Sequence, residues 1–85
     1  MDYNITFKKA VSKDFKKINR TDVNRIMTKL TTDLSQRADE FPELQGEFSG
    51  LRKYRVGNYR IIYLIIENNT VLILRIRHRK EDYKY

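Results

Sequence analysis

Residues 52–78 read RKYRVGNYRIIYLIIENNTVLILRIRH. β-branched and aromatic residues recur with a period of two, the signature of half-buried strands. The alternation is interrupted at Gly57-Asn58 and at Asn68-Asn69, residue pairs that tolerate the positive φ of tight turns. The reading is three strands, 52–56, 59–67 and 70–78, joined by two successive two-residue hairpins.

Tight hairpins fix register, because a slip of one residue would turn every side chain to the other face. A two-residue loop at Gly57-Asn58 sets Val56 opposite Tyr59, hence Arg55 opposite Arg60 and Lys53 opposite Ile62. A two-residue loop at Asn68-Asn69 sets Glu67 opposite Thr70, hence Ile62 opposite Arg75 and Arg60 opposite Arg77. One face then carries a row of Arg55, Arg60 and Arg77, with Lys53 and Arg75 beside it and Arg79 at the end of the strand. Away from this basic end the same face turns apolar, at Leu64, Ile66, Val71 and Ile73. The other face reads Tyr54, Val56, Tyr59, Ile61, Tyr63, Ile65, Leu72, Leu74 and Ile76.

Upstream, Tyr3, Ile5 and Phe7 alternate with polar residues as in a strand. Val11, Phe15 and Ile18 lie on one face of a helix from about Lys8 to Ile18, with five lysines over the rest of its surface. A second helix, capped by Thr21 or Asp22, carries the stripe Val23, Ile26, Met27, Leu30 and Leu34. Phe41-Pro42 and the glycines at 46, 50 and 57 mark a loop-rich crossing. The expected fold is α+β, in the order β-α-α-β-β-β: one domain over 1–85, with a small antiparallel sheet backed by two helices.

Composition bounds the function. Eighteen Lys and Arg against eleven Asp and Glu give a net charge of +7, which favours polyanionic partners. The charge is localised: residues 33–47 are net acidic, while basic residues dominate from Leu51 onward. The chain has no cysteine and a single histidine, His78, so no disulfide framework and no thiolate metal site is available, and His78 cannot build a zinc site by itself. The apolar run 61–66 is too short to cross a bilayer and residues 1–20 are too charged for a signal peptide, so a cytoplasmic protein is expected.

Like charges directly opposed on neighbouring strands destabilise a sheet by roughly 0.2–1 kcal/mol per pair, so a row of three arginines has no structural motive. Guanidinium groups about 5 Å apart bind phosphate in two-pronged fashion and can stabilise charge developing on phosphorus. The alternative is a solvated basic face whose arginine stems cover apolar surface.

The segment 51–85, LRKYRVGNYRIIYLIIENNTVLILRIRHRKEDYKY, closely resembles the C-terminal half of RelE/ParE superfamily toxins. Their recurrent pattern is a Y-R-V-G-x-Y-R hairpin, a variable strand and a terminal H-R-K-x-x-Y, and the preceding β-α-α order fits as well. The resemblance implies a RelE-like toxin of a type II toxin–antitoxin system. Such a protein is an endoribonuclease that cuts mRNA in the ribosomal decoding site by metal-free attack of a ribose 2′-hydroxyl, without a cofactor. It implies that Arg60 and Arg79 contact the scissile phosphate, that Tyr83 stacks on or orients a base, and that Lys53 and Arg55 line the same site. It also implies a cognate acidic antitoxin, expected on the apolar patch Leu64, Ile66, Val71 and Ile73.

Two departures from the best-studied branch bear on mechanism. Where that branch has two lysines flanking one residue, this chain has Lys53 and Arg55, and arginine cannot serve as a base. The chain also ends two residues after Tyr83, without the C-terminal helix of some relatives. His78 falls on the helix-covered side of the register map, where a structural role competes with acid–base catalysis. Tyr54, Tyr59 and Tyr63 share the apolar parity and are expected in the core, whereas Tyr83 and Tyr85 are freer to stack on bases. Two other function classes fit the scaffold: a ParE-like inhibitor of DNA gyrase, and a non-catalytic RNA-binding module.

Overall fold

The computed structural model describes residues 2–44 and 50–80. Tyr83, Tyr85 and Gly46 lie outside the described residues. The element order is β1 (Asn4–Phe7), α1 (Ala10–Lys16), α2 (Arg20–Lys29), β2 (Arg52–Val56), β3 (Tyr59–Ile66) and β4 (Thr70–His78). After α2 the chain continues through a widened π turn (Leu30–Leu34), a short α turn (Ser35–Arg37) and a 3-10 turn (Ala38–Glu40). The α+β class and the β-α-α-β-β-β order are therefore observed. Among the described residues no helix is long and apolar enough to cross a membrane.

The sheet is mixed, in the order β1-β4-β3-β2, and not wholly antiparallel as the sequence suggested. The hairpin strands are antiparallel, but β1 pairs parallel with β4 along Asn4↔Thr70 to Phe7↔Ile73. Since β4 also runs parallel to β2, the helical crossover returns the chain in the direction in which it left. No local signal could have revealed this, because β1 finds its partner at the far end of the chain.

Asn19, and neither Thr21 nor Asp22, caps α2: its side chain accepts from the Asp22 backbone N–H at 2.9 Å, while its own amide donates to the Asp22 carboxylate. The stripes of both helices cover one sheet face. Val11, Ile26, Leu30, Leu34 and Ala38 meet Tyr54, Val56, Ile61, Tyr63, Val71, Ile73 and Ile76 in a single buried cluster. The buried Tyr63 hydroxyl donates to the Ala38 carbonyl at 2.5 Å, and the Tyr54 hydroxyl donates to Asp33 on the widened turn. Burial pushes both phenols above their ordinary range, Tyr54 with help from its bond to Asp33.

The first hairpin has the expected register: Gly57 holds φ +58° and Arg55 lies opposite Arg60. The second differs in an instructive way. Ile66, not Glu67, lies opposite Thr70, so the connection is a three-residue loop with Asn68 and Asn69 both at positive φ. The register then shifts at Ile62/Tyr63, where Leu74 is an extra residue in β4. The two departures cancel at the basic end, where Arg60↔Arg77 and Ile62↔Arg75 pair as expected. They do not cancel at the loop end. There Val71 and Ile73 pair with Ile65 and Tyr63 and are fully buried, so these two are core residues and not part of an open apolar patch. Leu72, opposite Leu64, takes their place on the open face.

Candidate functional site

The bulge at Leu74 sits just beyond the point where β1 stops shielding the edge of β4; the last backbone bond there runs from Lys8 N to Ile73 O at 2.8 Å. From Ile76 onward α1 takes over. Asp14, only 5% exposed, accepts from the Ile76 backbone N–H and from Arg75 Nε and Nη2, each at 2.9 Å. Burial opposes the charge on Asp14, but the Arg75 hydrogen bonds, the Ile76 N–H and the nearby charges of Arg75 and Arg77 outweigh it and hold the carboxyl below its usual range. Arg75, expected among the phosphate ligands, is thus committed to Asp14. The sequence carried a signal for this contact: Asp14 follows Val11 by three residues and precedes Phe15, a carboxylate on a helical stripe that is otherwise apolar.

Arg55, Arg60 and Arg77 form the expected row across β2, β3 and β4. Ile62, one step further along, lies between Lys53 and Arg75 in the register and is fully buried, outside the main core cluster. Lys53, Arg55 and Arg60 line a mainly apolar cleft of about 320 Å³ at the outer edge of β2, shared with Phe41, Pro42 and Tyr54. Arg77 and His78 open on a second cleft, of about 430 Å³, with Lys17, Tyr59 and Lys80. The row therefore spans two clefts, the second of which is also lined by Asp14.

His78 faces the helix side, as the register implied. Its ring meets Tyr59 edge-on at 5.3 Å, and its Nδ1 accepts from Lys80 N at 3.2 Å. Tyr59 donates in turn to Asp22 at 3.2 Å, so this end of the sheet is tied to the start of α2. Arg79 is exposed in the turn after β4, anchored by its backbone N–H on Asn58 O at 2.7 Å. Phe41 and Pro42, read from the sequence only as loop markers, line the same cleft as Lys53, Arg55 and Arg60, which the strand pattern could not reveal.

A family model described as "ParE toxin of type II toxin-antitoxin system, parDE" matches residues 5–83. The chain belongs to this toxin family. The match spans the β1 strand, both helices and the arginine-bearing hairpins, which agrees with the RelE/ParE resemblance of the C-terminal half. Among solved structures, the toxin is similar to a chain of the RelBE2 toxin–antitoxin complex of Mycobacterium tuberculosis, at 28% identity over 95% of each chain and a TM-score of 0.86. It is also similar to a chain of the RelB–RelE antitoxin–toxin complex of Methanococcus jannaschii, at 26% identity over 94% of this chain and 96% of that one, TM-score 0.66. The isolated RelE toxin of E. coli shares the fold at 22% identity over 89% and 83% of the two chains, TM-score 0.71. No curated protein matches the chain.

Proposed function

We propose that this toxin is a ribosome-dependent endoribonuclease that cuts mRNA by metal-free attack of a ribose 2′-hydroxyl on the adjacent phosphate. The observation that carries the reading is the position of Arg60, between Arg55 and Arg77 in the register and in one cleft with Lys53. Such a cluster suits a phosphate gaining negative charge in the transition state. In the reaction the 2′-oxygen bonds to phosphorus, the bond to the 5′-oxygen breaks, and the proton passes from the 2′-hydroxyl to a base while the leaving oxygen gains one. Arginine keeps its proton, so of the three basic side chains in this cleft only Lys53 can act as the acceptor, and only once it has given up its own proton; while charged it holds the phosphate instead. Arg79 and Tyr83 complete the set by their match to the family pattern.

The partner that holds such a toxin in check is an acidic antitoxin, in keeping with the complexes in which its structural relatives occur. Leu64, Ile66 and Leu72, on the open face beyond the arginine row, offer it an apolar seat. Acting on mRNA and ribosomes, the toxin works in the cytoplasm.

The family is described as ParE, and a ParE-like toxin would inhibit DNA gyrase. Cell-free translation separates the readings. The endoribonuclease reading expects new ends in ribosome-bound message from the parent protein and far fewer from Arg60→Ala. Intact message together with lost gyrase supercoiling would establish the other reading.

A further inference from the structure

The segment before β2 gives the cationic cluster a second, apolar half. Arg52 Nη1 donates to the carbonyls of Asp39 at 3.2 Å and Phe41 at 2.7 Å, and Lys53 N donates to Pro42 O at 3.2 Å. These bonds fasten Phe41 and Pro42 along the outer edge of β2. The Phe41 ring packs edge-on against Tyr54 at 4.7 Å, and the Arg37 guanidinium lies 5.4 Å from its centroid. Phe41 is thereby held in place, and Pro42 is stiff by its own ring. The result is a fixed, mainly apolar cleft of about 320 Å³, lined by Phe41, Pro42 and Tyr54 together with the basic residues Lys53, Arg55 and Arg60.

Neither half explains the other. A hydrocarbon ligand would gain nothing from three cations, and a bare phosphate would gain nothing from an aromatic and a proline. A ligand with a flat apolar body and a phosphate one sugar away uses both. We propose that this cleft is a nucleotide subsite, in which the base next to the scissile phosphate packs on Pro42 and Phe41 while Lys53, Arg55 and Arg60 hold the phosphodiester. The inference rests on the RNA-cutting reading and adds what that reading lacks, a device that fixes one side of the cut. Holding the base out of its stack sets the sugar, and so the 2′-hydroxyl, in line with the bond that breaks. Phe41 and Pro42 act as positioning residues.

The test is binding of a short RNA made uncleavable by a 2′-deoxy sugar at the cut site, beside the same oligonucleotide lacking the adjacent base. Loss of the base weakens binding to the parent on the order of tenfold. In Pro42→Gly, and in Phe41→Leu should Pro42→Gly fold poorly, that penalty shrinks to about twofold, whereas Arg60→Ala weakens both oligonucleotides alike and keeps the penalty. Binding with an unchanged penalty in both wall variants, or with no penalty in the parent, overturns the subsite and leaves the phosphate cluster standing. Absence of any RNA binding removes both. Perturbation of Phe41 and Pro42 resonances by an acidic antitoxin peptide but by no oligonucleotide assigns the cleft to the protein partner and overturns the proposal.

Discussion

Asp14 and Arg75, on the first helix and the last strand, share two hydrogen bonds of 2.9 Å, and the same carboxylate takes up the Ile76 backbone N–H beyond the end of β1. One side chain thus replaces the missing strand partner, fixes α1 on the sheet and withdraws one arginine from the basic cluster. Asp14→Asn should remove the charge and one of the strong acceptor sites. Breaking a buried pair costs about 3–5 kcal/mol; with the Arg75 side chain 32% exposed, a loss of about 2–3 kcal/mol is expected. Thermal melts should drop by roughly 10–20 °C for a domain of this size. Because the folded carboxyl titrates below its ordinary value of 3.8, its stabilisation is present above about pH 4 and is lost as pH falls through the lower folded value. The Asn variant should lack that component of the acid transition.

At the alkaline end the sign reverses. Burial raises Tyr54 and Tyr63 above the ordinary phenol value of 10.0, so their contribution is complete below about pH 10 and fades as pH rises towards the folded values. Tyr63→Phe should cost about 1–2 kcal/mol at neutral pH, since the buried Ala38 carbonyl loses its donor. It should also flatten the stability loss above about pH 10. Denaturant titrations at a series of pH values measure both effects, and a parent protein with no alkaline loss would contradict the phenol burial.

Arg55 is exposed, directly opposes Arg60 and has no carboxylate partner among the described residues. Arg55→Gln should therefore raise stability slightly, by about 0.2–1 kcal/mol, while weakening RNA. If the cluster neutralises about four phosphates of single-stranded RNA, log K should fall with log salt at a slope near −3 in the parent, and the variant should bring that slope closer to zero. A parent slope near zero would remove the phosphate role of the row.

The open face can be told apart from the helix-covered core with acidic substitutions. Ile66 is 42% exposed and Val71 is fully buried. Ile66→Glu should melt within about 0.5 kcal/mol of the parent yet bind antitoxin at least tenfold more weakly, whereas Val71→Glu should fail to fold. Unaltered antitoxin affinity in Ile66→Glu would move the partner off this face.

How much of this was legible in the sequence follows from where each feature is encoded. Gly57-Asn58 and the alternating strands are local, so the Arg55↔Arg60↔Arg77 row could be drawn from them. The Leu74 bulge is not local: it reconciles Ile73, which packs in the core with Tyr63, with Arg75, which must reach Asp14. Consequently the arginines were placed correctly for an incomplete reason, and Val71 and Ile73 were placed on the wrong face. The parallel pairing of β1 was likewise hidden, since nothing near Ile5 records the direction of Val71. Asp14 was visible as a charge on an apolar stripe but had no evident partner. The wall of Phe41 and Pro42 depends on an Arg52 side chain reaching back across the loop, which no periodicity reports.

If the cluster around Arg60 promotes attack by a ribose 2′-hydroxyl, messenger RNA on programmed ribosomes will show it. Compare cleavage of an all-ribose message with one carrying a single 2′-deoxy sugar at the cut site, using the parent and Arg60→Ala. The expected result is a 5′ fragment ending in a 2′,3′-cyclic phosphate, no cut at the deoxy position, and a rate lowered on the order of 10²–10³ in the variant. Equal cutting of the two messages, or a parent protein that leaves both intact, would contradict it.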